Sequence, residues 1–237
     1  MATGQKHHAG QRTAAWESFS ALTPLAMKHY RCTHRPAMFG QNRRNASGRD
    51  TVRADDISKD AIAYELYIEL VGINPPIWRT LRVHSDSTIA DLHYAIQLSM
   101  KWGDYHLHRF VINGCEYGIA REGGVWFDDD PAEVMISQLH LREGDQFVYE
   151  YDFGDCWEHD IVVQEILPIN PKVTYPVCIG GRRAGPPEDC SGVWGFMSRY
   201  NGRRKGARTD RFDRRALNVR LKQYALGNED CQRGLDG

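Results

Sequence analysis

The chain has 237 residues, 41% of them hydrophobic, with six Trp, eleven Tyr and eight Phe, enough for one large core or a medium domain with extensions. No apolar run approaches the ~18 residues that span a bilayer, and no apolar stretch follows the basic residues at the N-terminus, so neither a membrane nor a secreted protein is expected. The net charge of −1 conceals segregation, with +7 over residues 1–53, −14 over 54–181, +8 over 182–222 and −2 over the rest.

Residues 1–57 are rich in Gly, Gln, His, Arg and Ser and keep no period of 3.6 or 2, which predicts a disordered basic extension. Order is expected from Ala61. Residues 63–71 alternate partly and are rich in β-formers, Pro75-Pro76 mark a turn, and residues 77–83 alternate as a returning strand. Thr88-Ile-Ala-Asp91 has the form of a capping box, with Asp in place of the usual Glu or Gln. Ile89, Leu92, Ile96 and Met100 then fall at helical spacing, predicting an amphipathic helix over 89–101. A strand is expected over 107–112, and Asn113-Gly114 is a hairpin signal into the next. An acidic loop at 128–131 and a short turn around 136–141 lead to a strand over 146–152. A last strand over 157–167 is joined to it through Phe153-Gly-Asp155. The Pro/Gly-rich stretch to Gly192 reads as loop, with helical material at 193–200 and 212–226 and an exposed basic run, 201–208, between.

These elements predict an α+β fold: a β-grasp-like mixed sheet on one main helix, with an extra C-terminal hairpin strand and C-terminal helices. The expected organisation is the extension 1–57, a core over 61–192, and a basic helical segment, 193–237, belonging to the same domain. The six scattered cysteines form no disulfide framework by spacing, which favours reduced thiols and a cytoplasmic location.

The densest candidate site is Tyr149 to His159. Asp152 and Asp155 flank a Phe-Gly turn, and His159 follows on the outgoing strand, sharing one face with Trp157, Ile161 and Val163. Two carboxylates near an imidazole suit a hard divalent cation or general acid/base work, so Asp152, Asp155 and His159 are the candidate metal ligands. His93 lies on the flank of the helix, and His106 and His108 alternate in phase, a spacing that allows a metal pair but also describes a solvated strand face. Cys178 and Cys190 are too far apart for a zinc knuckle, and no phosphate loop, nucleophile elbow or H-E-x-x-H helix occurs. The expectation therefore leans away from an enzyme and from any cofactor other than a divalent metal. The stretch 182–222 is a polyanion attractor, with Arg199, Arg203, Arg204, Lys205, Arg208 and Arg211 as candidate nucleic-acid contacts.

Three blocks carry a resemblance. The first is Ile77-Trp-Arg79 with Leu92-His93 and Ala95-Ile96-Gln97, continuing from Trp102 through His106-Leu-His to Phe110. The second is Tyr151-Asp-Phe-Gly-Asp-x-Trp-Glu-His159. The third is Pro176-x-Cys178 with Pro186-Pro-Glu-Asp-Cys190, Gly192 and Trp194-Gly195. Together the blocks resemble the plasmid pRiA4b ORF-3-like family over residues 61–225. The resemblance implies a plasmid or transposon setting, because relatives travel on plasmids and as passengers of insertion elements, some under a resolvase-like label. It implies no chemistry. The chain departs from the pattern at Gly185, where relatives often have Cys, and at Ser191, where Gly is usual, which weakens any thiolate site there. The expected function is a mobile-DNA-associated binding module without catalysis. The alternatives are a metal-dependent hydrolase or nuclease using Asp152, Asp155 and His159, and an adaptor that binds another protein at its sheet edge.

Overall fold

The computed structural model describes residues 61–119, 126–200 and 211–227. The expected extension 1–57 and the basic run 201–208 lie outside the described residues. The elements are β1 (Ile62–Leu70), β2 (Trp78–His84), α1 (Ile89–Met100), β3 (His108–Ile112), β4 (Cys115–Tyr117), a 3-10 turn (Ile136–Leu139), β5 (Gln146–Tyr151), β6 (Trp157–Pro168), β7 (Val177–Arg182), α2 (Gly192–Tyr200) and α3 (Arg214–Ala225).

Local chemistry explains the boundaries that the sequence marked. Thr88 caps α1: its Oγ1 accepts from the Asp91 amide at 3.1 Å, and Asp91 Oδ2 accepts from the Thr88 amide at 2.8 Å. The shorter carboxylate thus completes the box as Glu would. The helix stops at Lys101, whose backbone turns left-handed (φ 64°) while its N–H returns to the Gln97 and Leu98 carbonyls. Asn113 (φ 53°) and Gly114 (φ 86°) supply the two positive dihedrals that the β3–β4 hairpin needs.

The class is α+β, but the sheet is not mixed. Seven strands lie in the order β4-β3-β5-β6-β1-β2-β7, and every neighbouring pair is antiparallel. A β-grasp arrangement is therefore not what the register shows. The tight turn after β5 sends β6 back antiparallel, and β6 is long enough to pair with β1 from Ile62↔Pro168 to Leu70↔His159. That places the two central strands antiparallel, where a β-grasp sheet would have them parallel.

The stretch expected as loop also holds a strand, since β7 adds to the outer edge of β2. Val177 and Ile179 favour a strand, but the adjacent Gly180 and Gly181 read alone as loop. The glycines are there for room: a Cβ at Gly180 would stand 3.1 Å from the Trp78 ring, and one at Gly181 would run into Phe212.

The inner face of the sheet carries Leu66, Ile68, Leu70, Leu81, Phe110, Tyr149, Ile161 and Val163, all buried beneath α1 through Leu92 and Ile96. α3 covers the β7 side of the same layer. Asn218 exchanges two hydrogen bonds with the Cys178 backbone, at 2.8 and 2.9 Å, and Tyr224 Oη donates to Asp91 at 2.8 Å. By strand alternation the outer face takes Glu65, Glu69, Glu158 and Asp160, with Glu69 directly opposite Asp160 and Glu150 opposite Glu158. Arg82 answers Glu65 at 2.9 Å, and Arg109 bridges Glu150 and Glu116 at 2.8 and 3.0 Å. Cys115, Cys178 and Cys190 are free thiols. Among the described residues, no helix is long and apolar enough to cross a membrane.

Candidate functional site

The three blocks singled out in the sequence meet where the turn after α1, the start of β3, the β5–β6 turn and the segment after β7 come together. Trp102 anchors this junction. Its ring stacks on Tyr151 (centroids 5.0 Å apart), lies 5.9 Å from Trp157, and donates from Nε1 to the Pro186 carbonyl at 2.8 Å. Glu188 ties the segments together: one carboxylate oxygen accepts from the Gly103 amide at 2.8 Å and the other from Tyr151 Oη at 2.5 Å. The Tyr151 oxygen in turn accepts from the Tyr105 amide at 3.0 Å.

Beneath this junction lies a closed ring of hydrogen bonds, buried at Tyr149 and reaching the surface at Asp104. His93 Nε2 faces Asp104 Oδ1 at 2.9 Å, and Nδ1 faces Tyr149 Oη at 2.8 Å. Gln97 Nε2 donates to the same hydroxyl at 2.8 Å, and Gln97 Oε1 accepts from the Asp104 amide at 3.2 Å. A carboxylate only accepts, so in neutral His93 the proton sits on Nε2, and Tyr149 donates to Nδ1. Gln97 and His93 occupy one side of α1 because they are four residues apart. Tyr149 is wholly buried, and burial holds its phenol well above the usual range. This ring therefore fixes the loop to the helix and sheet.

The structure distributes the expected site residues over different environments. His108 stacks on His93 (centroids 3.6 Å, planes 14° apart), and its Nε2 has no hydrogen-bond partner. Burial pushes its pKa down to about 2, with the neighbouring His93 ring adding to the effect. His159 is fully buried on the inner face, as alternation required, between the Trp102 edge at 5.5 Å and Tyr149 at 5.3 Å. Burial lowers its pKa to about 3. Trp157, also fully buried, shares that face. Both buried histidines are consequently neutral aromatic packing pieces.

Asp152 opens the β5–β6 turn in a left-handed conformation (φ 57°), and its Oδ1 accepts from the Gly154 and Asp155 amides at 2.9 and 3.2 Å. The expected ligand set Asp152, Asp155 and His159 does not assemble. Among the described residues, three ligating atoms come within 4.8 Å of one another in two groups, His93–Asp104–His108 and His106–Asp152–Asp189. The alternating pair His106 and His108 is thus divided, each histidine joining a different group. The strand turns His159 inward beneath α1, whereas the outward end of the turn meets the Pro-Pro-Glu-Asp segment instead. Asp104, Glu188 and Asp189 were not in the sequence-derived set. Their signal was proximity to the Trp-Gly and Pro-Pro motifs, and single-chain spacing gives no way to join segments some 85 residues apart.

The close meeting of these segments depends on two glycines. A Cβ on Gly192, which sits at φ 63°, would strike the Asp155 carbonyl, and one on Gly185 would strike the Met100 carbonyl. Gly185 thus leaves room for the loop to close on the end of α1.

Of the expected nucleic-acid contacts, Arg199 ends α2 and Arg211 precedes α3, both exposed; Arg203, Arg204, Lys205 and Arg208 lie outside the described residues. α3 adds Arg214, Arg215 and Lys222 at exposed positions. Arg211, Lys101 and Arg220 line a cleft with the buried Arg79, whose guanidinium donates to the Ser99, Trp78 and Arg182 carbonyls at 3.0, 2.8 and 3.1 Å and lies 4.2 Å from the Phe212 ring centre. Burial lowers the Arg79 pKa to about 10, which leaves it charged at neutral pH. The one acidic residue of the cleft, Asp213, is spent on capping α3 through the Arg215 and Ala216 amides at 3.0 and 3.1 Å.

Comparison with known proteins gives consistent matches. The family model described as plasmid pRiA4b ORF-3-like protein matches residues 62–215. An uncharacterised protein of Sinorhizobium fredii, y4hQ, is 28% identical over 141 residues, covering 58% of this chain and 71% of its own length. The crystal structure of MM3350 from Methanosarcina mazei Go1, a protein of unknown function, is similar with a TM-score of 0.52 and 36% identity, over 59% of this chain and 80% of that one.

Proposed function

We propose that this chain, which belongs to the plasmid pRiA4b ORF-3-like family, is a non-enzymatic, mobile-DNA-associated module that holds nucleic acid through its basic C-terminal segment. The observation that carries this reading is the asymmetry of α3 and its approach. Residues 211–227 hold five Arg or Lys against one acidic residue, and Arg211, Arg214, Arg215 and Lys222 are exposed. Like-charged side chains on one helix repel one another unless a polyanion neutralises them. The acidic outer face of the sheet works in the opposite sense, repelling phosphate and leaving the α3 side as the favoured approach.

Binding driven by such charges reads phosphate and not base sequence. A fluorescently labelled duplex titrated with the full chain at 50 and 200 mM salt tests it. Four phosphate contacts would weaken binding by roughly 100-fold between those concentrations. Absence of binding at the lower salt, or affinity that does not respond to salt, removes the reading.

A further inference from the structure

We propose that His106, Asp152 and Asp189 form a binding site for a divalent transition-metal cation, separate from the basic face around α3 and independent of its function. The three residues come from three of the converging segments. His106 Nε2 lies 3.2 Å from Asp189 Oδ1 and 3.8 Å from Asp152 Oδ2, and all three atoms fall within 4.8 Å of one another. The separations of 3.2 and 3.8 Å are ones that ligands on a shared cation keep, given bonds of about 2.0–2.2 Å.

A second observation points the same way. His106 Nε2 is itself covered from solvent and makes no hydrogen bond, although two carboxylates border it. The nearer oxygen lies at hydrogen-bonding distance but off the N–H direction, and a buried imidazole nitrogen left in that state is costly. A cation between the three atoms takes the lone pair and neutralises the carboxylates. Asp152 is also more than nine-tenths buried, and burying a carboxylate beside a second acid is unfavourable without a compensating charge.

The site is preformed by contacts that do not involve its ligating atoms. Asp152 Oδ1 is fixed by two backbone amides, which directs Oδ2 toward His106. Glu188, joined to Gly103 and Tyr151, fixes the chain immediately before Asp189 against the loop that carries His106. Such support is what orients ligands in metal sites. One imidazole with two carboxylates suits Zn²⁺ or Mn²⁺ better than Mg²⁺, which prefers oxygen alone. Asp189 is 74% exposed at its side chain, so the remaining coordination positions face solvent.

Isothermal titration of chelator-treated full-length chain with Zn²⁺ and, separately, Mn²⁺ tests the proposal. One ion should bind per chain with at least one of these metals. Asp189→Asn, at an exposed position, and His106→Gln should each weaken that binding at least tenfold while leaving the circular dichroism unchanged. Glu133→Gln, an exposed carboxylate elsewhere, should leave it as it was. No binding of either metal to the wild-type chain overturns the site, as does Asp189→Asn or His106→Gln binding as tightly as wild type. Duplex affinity measured without metal is expected to be the same in all variants, so the two readings fail separately.

Discussion

Replacing Tyr149 by Phe tests the buried ring beneath the junction. The substitution removes one oxygen from a side chain that is wholly buried and leaves the ring, its neighbours and the packing volume unchanged. Two partners lose their contact with that oxygen: Gln97 Nε2, which donates to it at 2.8 Å, and His93 Nδ1, which faces it at 2.8 Å. Each buried polar atom left unpaired costs about 1–3 kcal/mol. The expected loss is therefore about 2–4 kcal/mol, a large share of the roughly 5–15 kcal/mol that a domain possesses. Urea denaturation followed by tryptophan fluorescence reads this as a lower midpoint with an unchanged slope, since the surface exposed on unfolding is the same. A loss below about 0.5 kcal/mol would mean that water or an alternative tautomer restores both partners, and the ring would then not hold the loop in place.

Further outcomes follow from other contacts. His108 and His159 are held neutral by burial at pKa values of about 2 and about 3, while in the unfolded chain each titrates near 6.5. Because the unfolded state binds the extra protons, their stability contribution is full above about pH 6.5 and is lost as pH falls toward 3, at up to about 1.4 kcal/mol per pH unit for each histidine. Urea midpoints measured from pH 7 to pH 4 should fall steadily, and a flat profile would contradict their buried neutral state. Gly192→Ala combines a left-handed dihedral with a Cβ aimed at the Asp155 carbonyl, so thermal denaturation should show a loss of more than about 1 kcal/mol. Arg79→Lys keeps the charge but cannot reproduce the three carbonyl contacts or the stacking on Phe212. A destabilisation of about 2–3 kcal/mol is expected in urea titrations, and a change within 0.5 kcal/mol would show the guanidinium to be dispensable.

Elements whose signals are local were legible in the sequence. Alternation in β6 gave its face correctly, down to His159 sharing the buried side with Trp157, and the Thr88–Asp91 box marked the start of α1. Strand neighbours were not local. The antiparallel contact of β1 with β6 depends on the length of β6 and the tightness of its turn, and nothing in the composition of either strand specifies the partner. β7 escaped because its glycines, which make space for Trp78 and Phe212, are the residues that argue against a strand when read alone. At the site, residue types were recognised but their grouping was not. His106 and His108, two apart, belong to different clusters, and Asp152 finds its neighbour in Asp189, thirty-seven positions further on.

Charge reversal on the basic face around α3 is the most direct test of nucleic-acid contact there. Arg211→Glu, Arg214→Glu and Arg215→Glu combined in the full chain remove three exposed cations while Leu217 and Leu221, the buried residues of α3, are kept. Anisotropy titration of a labelled duplex at 50 mM salt should show affinity lower by at least roughly tenfold and a shallower dependence on salt than the wild-type chain. Unchanged affinity and an unchanged salt slope, in a variant that remains folded, would contradict the assignment of nucleic-acid contact to this face.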